Sequence, residues 1–480
     1  MTCHWPFVIV AVLSSLIGLG DCVAFVGASS RITCKQLATM ENSQFRRPFS
    51  ALAQYTQKGS DDEDPTRLKQ RQQLEALTPL PTYLRIKLRH FHENDATDDN
   101  LVDILLSVAT ACIEIAEQLS VQSINDIQRI HQRNIEEEGR AADLDSVTTM
   151  NVQGEIQKPM DIIANEIFIR HIKDKVSYIV SEEEETIIVG DKPSTTRDSC
   201  SGHRGDQTTP TSHGATKSYE IAFDPLDGSS NLDINIATGS IFGIFSRENN
   251  DMNDDDKSDT DEGEPFSKTG RESIVASGYC LYSSSVEFVL CLGPDFGGVA
   301  GFTLDPTKLL TATSFKSSNN GKLGETTGND LASSFVLTRP SVHCPLNGPY
   351  YSLNDGREPD WPDGLKRWVY DAKRGQTPSG TKFSARYVCS LVADVHRTIL
   401  KGGWAGNPRP HLRLWYEAMP LAYILETCGG QGSDGVIPIL DVVPKSIHDR
   451  VPVFLGSSHD IHELVEVYGD VQQDAKKYNA

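Results

Sequence analysis

The sequence predicts an α/β protein. Apolar residues recur at helical spacing in some segments and form short β-branched runs in others, and the two kinds alternate along 480 residues. Several of the apolar runs also stop at carboxylates, where open α/β sheets place their ligand sites. The length is enough for one large core or two packed subdomains. A hydrophobic content of 38%, with 37 Gly and 24 Pro, is that of an ordinary globular enzyme.

Residues 61–95 read as a polar lead-in. A helix follows from Asp99 to Leu119, with Leu101, Ile104, Leu105, Val108, Cys112, Ile115 and Leu119 on one face. Met160–His171 repeats the helical pattern through Ile163 and Ile167 and carries Asp161 at its start. Val176–Val180 reads as a strand ending at Ser181-Glu-Glu-Glu-Glu. Residues 190–217 are polar and turn-rich, an inserted loop. Tyr219–Phe223 reads as a strand leading into Asp224-Pro-Leu-Asp-Gly, and Ile241–Phe245 as the next. A second inserted loop, 247–269, contains the acidic run Asn249–Glu264, a solvated stretch. Glu272–Leu292 reads as buried sheet and Phe315–Ser334 as a further polar insertion. Ser384–Gly402 and Leu412–Thr427 carry helix and strand signals, Gly429-Gly430 stops a helix, and Val451–Gly456 is a last strand. The natural cut is near residue 300, giving subdomains over 96–300 and 301–472.

The first 60 residues read as an address. Pro6–Leu19 has the length of a signal-peptide core, and Phe25 follows Val23-Ala24. From Val26 to Ser60 the only acid is Glu41, against Arg31, Lys35, Arg46, Arg47 and Lys58. An apolar signal followed by a basic, acid-poor stretch resembles the bipartite presequence of plastids enclosed by extra membranes, with the stroma as destination. A secretory signal followed by a pro-segment is the alternative. No later segment reads as apolar enough to span a bilayer. The formal net charge of −21 argues against a nucleic-acid binder. The ten cysteines form no C-x-x-C pair and no zinc spacing, and Cys112, Cys280, Cys291 and Cys389 read as core thiols in a reducing compartment.

The most informative stretch is Phe223-Asp-Pro-Leu-Asp-Gly-Ser-Ser-Asn231. Asp224 and Asp227 flank a turn stiffened by Pro225, and Gly228 and Ser229 offer backbone N–H groups beside them. Hard divalent cations take carboxylate oxygens and phosphates take oriented N–H donors, so one turn can hold a metal against a phosphate ester. An Asp/Gly/Ser surface turn is the plainer reading of the four-residue core. Asp161, Glu182, Glu183 and Glu417 join the candidates because clustered carboxylates are costly without a cation.

These stretches resemble the fructose-1,6-bisphosphatase family, within the lithium-sensitive, magnesium-dependent sugar and inositol phosphatases. The resemblance runs through Val180-Ser-Glu-Glu, Phe223–Asn231, Gly239-Ser-Ile-Phe-Gly-Ile and Gly278-Tyr-Cys-Leu-Tyr-Ser-Ser-Ser. It continues through Tyr351-Ser-Leu-Asn, Ser384-Ala-Arg-Tyr, Val392-Ala-Asp-Val-His-Arg-Thr, Leu412-Arg-Leu-Trp-Tyr-Glu-Ala-Met-Pro and Gly432-Ser-Asp-Gly. It implies a layered α-β-α-β-α sugar-phosphatase fold with two subdomains, a homotetramer, and two or three Mg2+ ions per subunit. Glu182, Glu183, Asp224, Asp227, Glu417 and the Leu226 carbonyl would be metal ligands. Asp161 and Glu183 would orient and deprotonate the water that attacks the 1-phosphate of fructose 1,6-bisphosphate in line. Gly228, Ser229, Ser230 and Arg413 would hold that phosphate. Asn354 and Tyr387, with Arg386 of a neighbouring subunit, would hold the 6-phosphate, while Asp394, His396 and Arg397 read as packing and interface residues.

Three departures stand out. Trp404–His411 replaces a longer family loop, so Asn407 and His411 stand near positions the family fills with Tyr and Lys, and Arg357 replaces a further Tyr. Arg357 or Arg409 could compensate. The 247–269 insertion has no cysteine where plastid relatives carry a thioredoxin-switched loop, and Ser218-Tyr219 replaces the Lys-Tyr pair of the family's AMP site. The alternatives are a sedoheptulose-1,7-bisphosphatase or dual enzyme, another phosphatase of the superfamily, and a catalytically silent sugar-phosphate-binding relative.

Overall fold

A computed structural model describes residues 24–26, 30–32, 76–89, 99–136, 149–150, 156–191, 218–247, 264–310 and 331–472. Most of the N-terminal address and most of the three polar insertions therefore lie outside the described residues. The chain divides into a unit Met1–Gln73, in which Ala24–Val26 pairs antiparallel with Ser30–Ile32, and a unit Leu74–Ala480.

The larger unit is built on two sheets. The first holds β1 (Tyr178–Ser181), β2 (Ile188–Val189), β3 (Tyr219–Asp227), β4 (Thr238–Ser246), β5 (Ile274–Tyr282), β6 (Val286–Cys291), β7 (Val299–Leu304) and β8 (Phe335–Arg339). Their order across the sheet is β8-β7-β6-β5-β4-β3-β1-β2. Among the described strands of this sheet, only β1 and β3 pair in parallel, so the chain must cross over between them, and both strands deliver their carboxyl ends to the same edge. The second sheet has the order β10-β9-β11-β13-β12, from β9 (Tyr350–Ser352), β10 (Ser384–Ala385), β11 (Trp404–Arg413), β12 (Gly430–Ser433) and β13 (Arg450–Ser457).

Three apolar cores show how the sheets and helices stack. Side chains alternate across a strand. On β3, Ile221 and Phe223 enter one core with Leu84 of α1 (Leu80–Arg89), Ile104 and Val108 of α2 (Asp99–Glu136), and Phe168 of α3 (Pro159–Ile172). Ala222 enters the second core. There the first sheet meets Val395 of α5 (Leu391–Lys401), Leu421 and Leu425 of α6 (Met419–Thr427), and the inward residues Ala405, Val453 and Leu455 of the second sheet. The other face of that sheet, Trp404 and Phe454, packs on Trp368 of α4 (Asp363–Ala372) and Ile461 of α7 (Ser458–His462). The order is thus α-β-α-β-α, the expected layering. Trp368 is fully buried and packs against Phe383 and Trp404; truncating such a residue costs about 3–5 kcal/mol.

Two sequence expectations change. The polar lead-in carries α1, whose Leu80, Tyr83, Leu84 and Leu88 are buried. Its sparse apolar residues sit among charges, which hides a short amphipathic helix from a composition reading. Over Asp99–Val121, α2 is long and apolar enough to cross a membrane, contrary to the reading that nothing beyond the leader is. Its apolar residues, Ile104 to Ile115, are buried in the first core, and core helices pass the same length and composition test.

Candidate metal and phosphate site

Four elements bring the acidic residues together. Asp161 is in the first turn of α3, where Pro159 opens the helix and the Asp161 carboxylate accepts the Lys158 N–H at 2.8 Å. Glu182 and Glu183 follow the carboxyl end of β1. Asp224, Leu226 and Asp227 lie in the last stretch of β3, which the sequence reading had ended at Phe223. Pro225 has no N–H for the ladder, and the register slips between Asp224 and Asp227. That bulge turns both carboxylates toward the cavity, while Ser240 Oγ donates to the Pro225 carbonyl at 2.7 Å. Glu417 comes from a single π turn, Leu414–Ala418, between β11 and α6.

Asp224, Asp227 and Glu417 place ligating oxygens within 4.8 Å of one another, and all three are buried. Burial and the surrounding carboxylates push Asp224 well above the usual range. Burial pushes Asp227 up to about 7 and Glu417 up to about 8; hydrogen bonds from the Val392 and Arg413 N–H groups oppose the rise, and Glu182 adds to it. Asp161 rises to about 6, mainly from burial, against donation from Lys158 and Ser229. The cation in contact with the cluster is Arg413, 4% exposed, 2.9 Å from Glu182 and 4.0 Å from Glu417, and Lys158 lines the same cavity while paired with Asp233 at 2.6 Å. These two cations cannot neutralise that many buried carboxylates, and an all-oxygen donor set suits a hard divalent cation. The residues fit the metal that the sequence resemblance implies.

Beside the carboxylates, Gly228 adopts φ +75°, a left-handed conformation that favours glycine, and starts the 3-10 turn Ser229–Ile234. Gly228, Ser229 and Ser230 line the cavity, which encloses about 620 Å3. Asp161, Glu182, Glu183, Asp224, Leu226, Asp227, Arg413, Glu417 and Tyr387 line it as well, so most of the sequence-predicted set shares one space. Asn354 and Arg386 are not among the lining residues. Asn354 caps a 3-10 turn through Gly356 N, and Arg386 is exposed over the Tyr350 ring. Arg357 is exposed, 3.7 Å from Asp360.

Sequence reasoning missed several lining groups, among them Lys158, Ser352 and Ser390. Ser390 is the N-cap of α5, a Ser before an apolar helical run, which is a legible signal. The adjacent Val392 N–H donates to Asp227 at 2.9 Å. Asp394, read as a packing residue, also lines the cavity; it grips the Val388 N–H and pairs with Arg397 at 2.8 Å. His396 packs as expected, its Nδ1 2.9 Å from the Tyr279 hydroxyl. Cys389 is a correction: it is exposed at the cavity wall with φ +65°, not a core thiol. The apolar Val388 and Leu391 beside it suggested a core, but the turn before α5 faces the cavity. The segment read as a shortened loop is β11 itself, irregular between Asn407 and Leu412 where Pro408 and Pro410 interrupt the ladder. Asn407 and His411 both line the cavity.

Comparison with known proteins is consistent with this geometry. The family described as "Fructose-1-6-bisphosphatase, N-terminal domain" matches residues 116–310, and the corresponding C-terminal domain matches 344–469. The chloroplastic fructose-1,6-bisphosphatase of Brassica napus is 35% identical over 385 residues, covering 76% of this chain and 77% of that protein. The chloroplastic enzyme of Pisum sativum is 35% identical over 387 residues, 77% of this chain and 79% of that protein. The cytosolic enzyme of Brassica napus is 36% identical over 332 residues, 68% and 81% respectively. The structure of Leishmania major fructose-1,6-bisphosphatase in holo form superposes with a TM-score of 0.58 at 27% identity, over 82% of this chain and 99% of that one.

Proposed function

The chain belongs to the fructose-1,6-bisphosphatase family, and on that premise we propose that it hydrolyses the 1-phosphate of fructose 1,6-bisphosphate, with Mg2+ bound among Asp224, Asp227, Glu417, Glu182, Glu183 and the Leu226 carbonyl. The observation that carries the reading is the buried Asp224–Asp227–Glu417 cluster beside the Gly228–Ser230 turn in one cavity. Two or three divalent ions held by these residues would neutralise phosphoryl oxygens, stabilise the leaving alkoxide and lower the pKa of a water.

The chain's own groups do the rest. Asp161, held at the α3 N-terminus, accepts the proton of the attacking water, with Glu183 beside it in the cavity. Gly228 and Ser229 N–H groups and the Arg413 guanidinium hold the transferring oxygens. Tyr387 lines the same cavity, and Asn354, which lies outside that lining, with Arg386 of a neighbouring subunit, would complete the 6-phosphate site in a homotetramer. Residues 1–60 act as a bipartite presequence to the plastid stroma, a reading supported by the chloroplastic relatives. The mature chain consists of the lead-in 61–95, which carries α1, and subdomains over 96–300 and 301–472.

A sedoheptulose 1,7-bisphosphatase or dual activity is the second reading, favoured by one observation: Asn407 and His411, near positions the family fills with Tyr and Lys, line the cavity. Phosphate release from the two bisphosphates, measured side by side with Mg2+, decides between them. A higher kcat/KM for the six-carbon ester supports the first reading; a preference for the seven-carbon ester replaces it.

A further inference from the structure

Cys344 and Cys428 have no part in the hydrolysis. Cys344 lies in the connection from β8 to β9, and Cys428 ends α6, the helix that follows the Glu417 turn. The Cys344 N–H donates to the Cys428 carbonyl at 2.8 Å. A single N–H···O bond of this length leaves the two Cα atoms at most about 6.7 Å apart, within reach of the ~4.4–6.8 Å that a disulfide spans. The two thiols hydrogen-bond each other, which holds Cys344 below the usual thiol range and pushes Cys428 above it. Both side chains belong to the second core, where Ser457 Oγ lies 3.9 Å from the Cys344 sulfur. The backbone bond and the shared core place the two buried thiols side by side.

We propose that Cys344 and Cys428 are a dithiol that closes to an intramolecular disulfide on oxidation, stapling the connection between the two sheets to the end of α6. With a hydroperoxide as oxidant, the Cys344 thiolate attacks an oxygen and the O–O bond breaks. A sulfenic acid forms, and hydroxide leaves to take up the Cys344 proton as water. The Cys428 sulfur then attacks the Cys344 sulfur, the S–O bond breaks, and the second oxygen leaves as water with the Cys428 proton. Two thiols are oxidised and one hydrogen peroxide becomes two waters. Because the backbone is already at disulfide spacing, closure leaves the Glu417 end of α6 undisturbed. The crosslink closes a loop of about 80 residues and so restricts the unfolded chain.

The test uses the full chain treated with hydrogen peroxide, alkylated, and mapped without reduction. The expected result is a Cys344–Cys428 linked peptide two hydrogens lighter than the reduced pair. Tm should rise by about 5 °C, reversed by dithiothreitol, with turnover within twofold of the reduced enzyme. Cys428→Ser should abolish link and Tm shift, and leave Cys344 trappable by dimedone; Cys428→Ala serves if the Ser variant does not fold. Oxidation confined to the exposed Cys389, a link without a Tm rise, or a tenfold loss of turnover in the linked enzyme would overturn the proposal.

Discussion

Replacing Asp224 by Asn should stabilise the metal-free protein and abolish its turnover. Asp224, Asp227 and Glu417 have ligating oxygens within 4.8 Å. At that spacing two unit charges repel by about 3.5 kcal/mol at an effective dielectric of about 20. The amide would remove two such pairs while keeping an oxygen to accept the Leu226 N–H, which lies 2.9 Å from the carboxylate. Protonation already relieves much of the repulsion, since Asp227 and Glu417 are pushed up to about 7 and about 8. Burial and the same carboxylates also push Asp224 itself well above the usual range, so only part of the initial sum remains at pH 8. A domain of about 400 residues has an unfolding entropy near 0.8 kcal/mol/K, so Tm in EDTA should rise by about 1 °C for each ~0.8 kcal/mol of repulsion removed. In saturating Mg2+ the sign should reverse, because the substitution removes a ligand, and kcat should fall about a thousandfold. Thermal melts in EDTA and in Mg2+, run beside a phosphate-release assay, read all three. A variant equally destabilised in both buffers, or one retaining a tenth of the activity, refutes the assignment of this cluster as a metal site.

Burial pushes Asp161 to about 6 in the metal-free protein, so a proton acceptor at this position would be occupied below that pH. Bound Mg2+ lowers that value, so the pH profile of kcat should fall with unit slope at or below about pH 6, and Asp161→Asn should remove the activity with Tm changed by only a few degrees. Asp460, 1% exposed and pushed to about 7 by burial, lies outside the site. Its folded pKa exceeds the unfolded value, so the folded state binds the extra proton and stability falls as pH rises from about 4 through 7. Asp460→Asn should flatten that fall in metal-free melts; an unchanged slope counts against it. Gly239→Ala should cost about 2–3 kcal/mol, because a Cβ there would sit 2.7 Å from the Cys280 carbonyl oxygen and the Val392 side chain; a melt unchanged within a degree would contradict this. Residues 247–269 contain no cysteine, so deleting 249–262 should leave any thiol-reductant response of the activity intact.

Much of the fold was legible because its signals are periodic. The heptad-like face from Leu101 to Ile115 marks α2, and β-branched runs mark β3 and β4. What escaped was set by tertiary context. β3 continues through Pro225 because the neighbouring β4 supplies Ser240 to satisfy the freed carbonyl, which no local pattern announces. Pro408 and Pro410 disguise β11, a central strand that tolerates them only at its bulge. In the site, the carboxylates were readable from the strands that end at them and from motif resemblance. Lys158, Ser352, Ser390 and Asp394 were not, since loop and helix-start positions reach the cavity only through the packing of α3, α5 and the second sheet. Cys389 shows the same limit, for its apolar neighbours hid a wall residue of the cavity.

The most direct measurement is the stoichiometry and regiochemistry of phosphate release from fructose 1,6-bisphosphate, in Mg2+ and in EDTA, with the product identified by phosphorus NMR. One phosphate per sugar, fructose 6-phosphate as sole product, and no turnover in EDTA are expected. Release of the 6-phosphate, turnover undiminished in EDTA, or no hydrolysis by the folded, Mg2+-loaded protein would contradict the placement of the 1-phosphate against Asp224, Asp227 and Glu417.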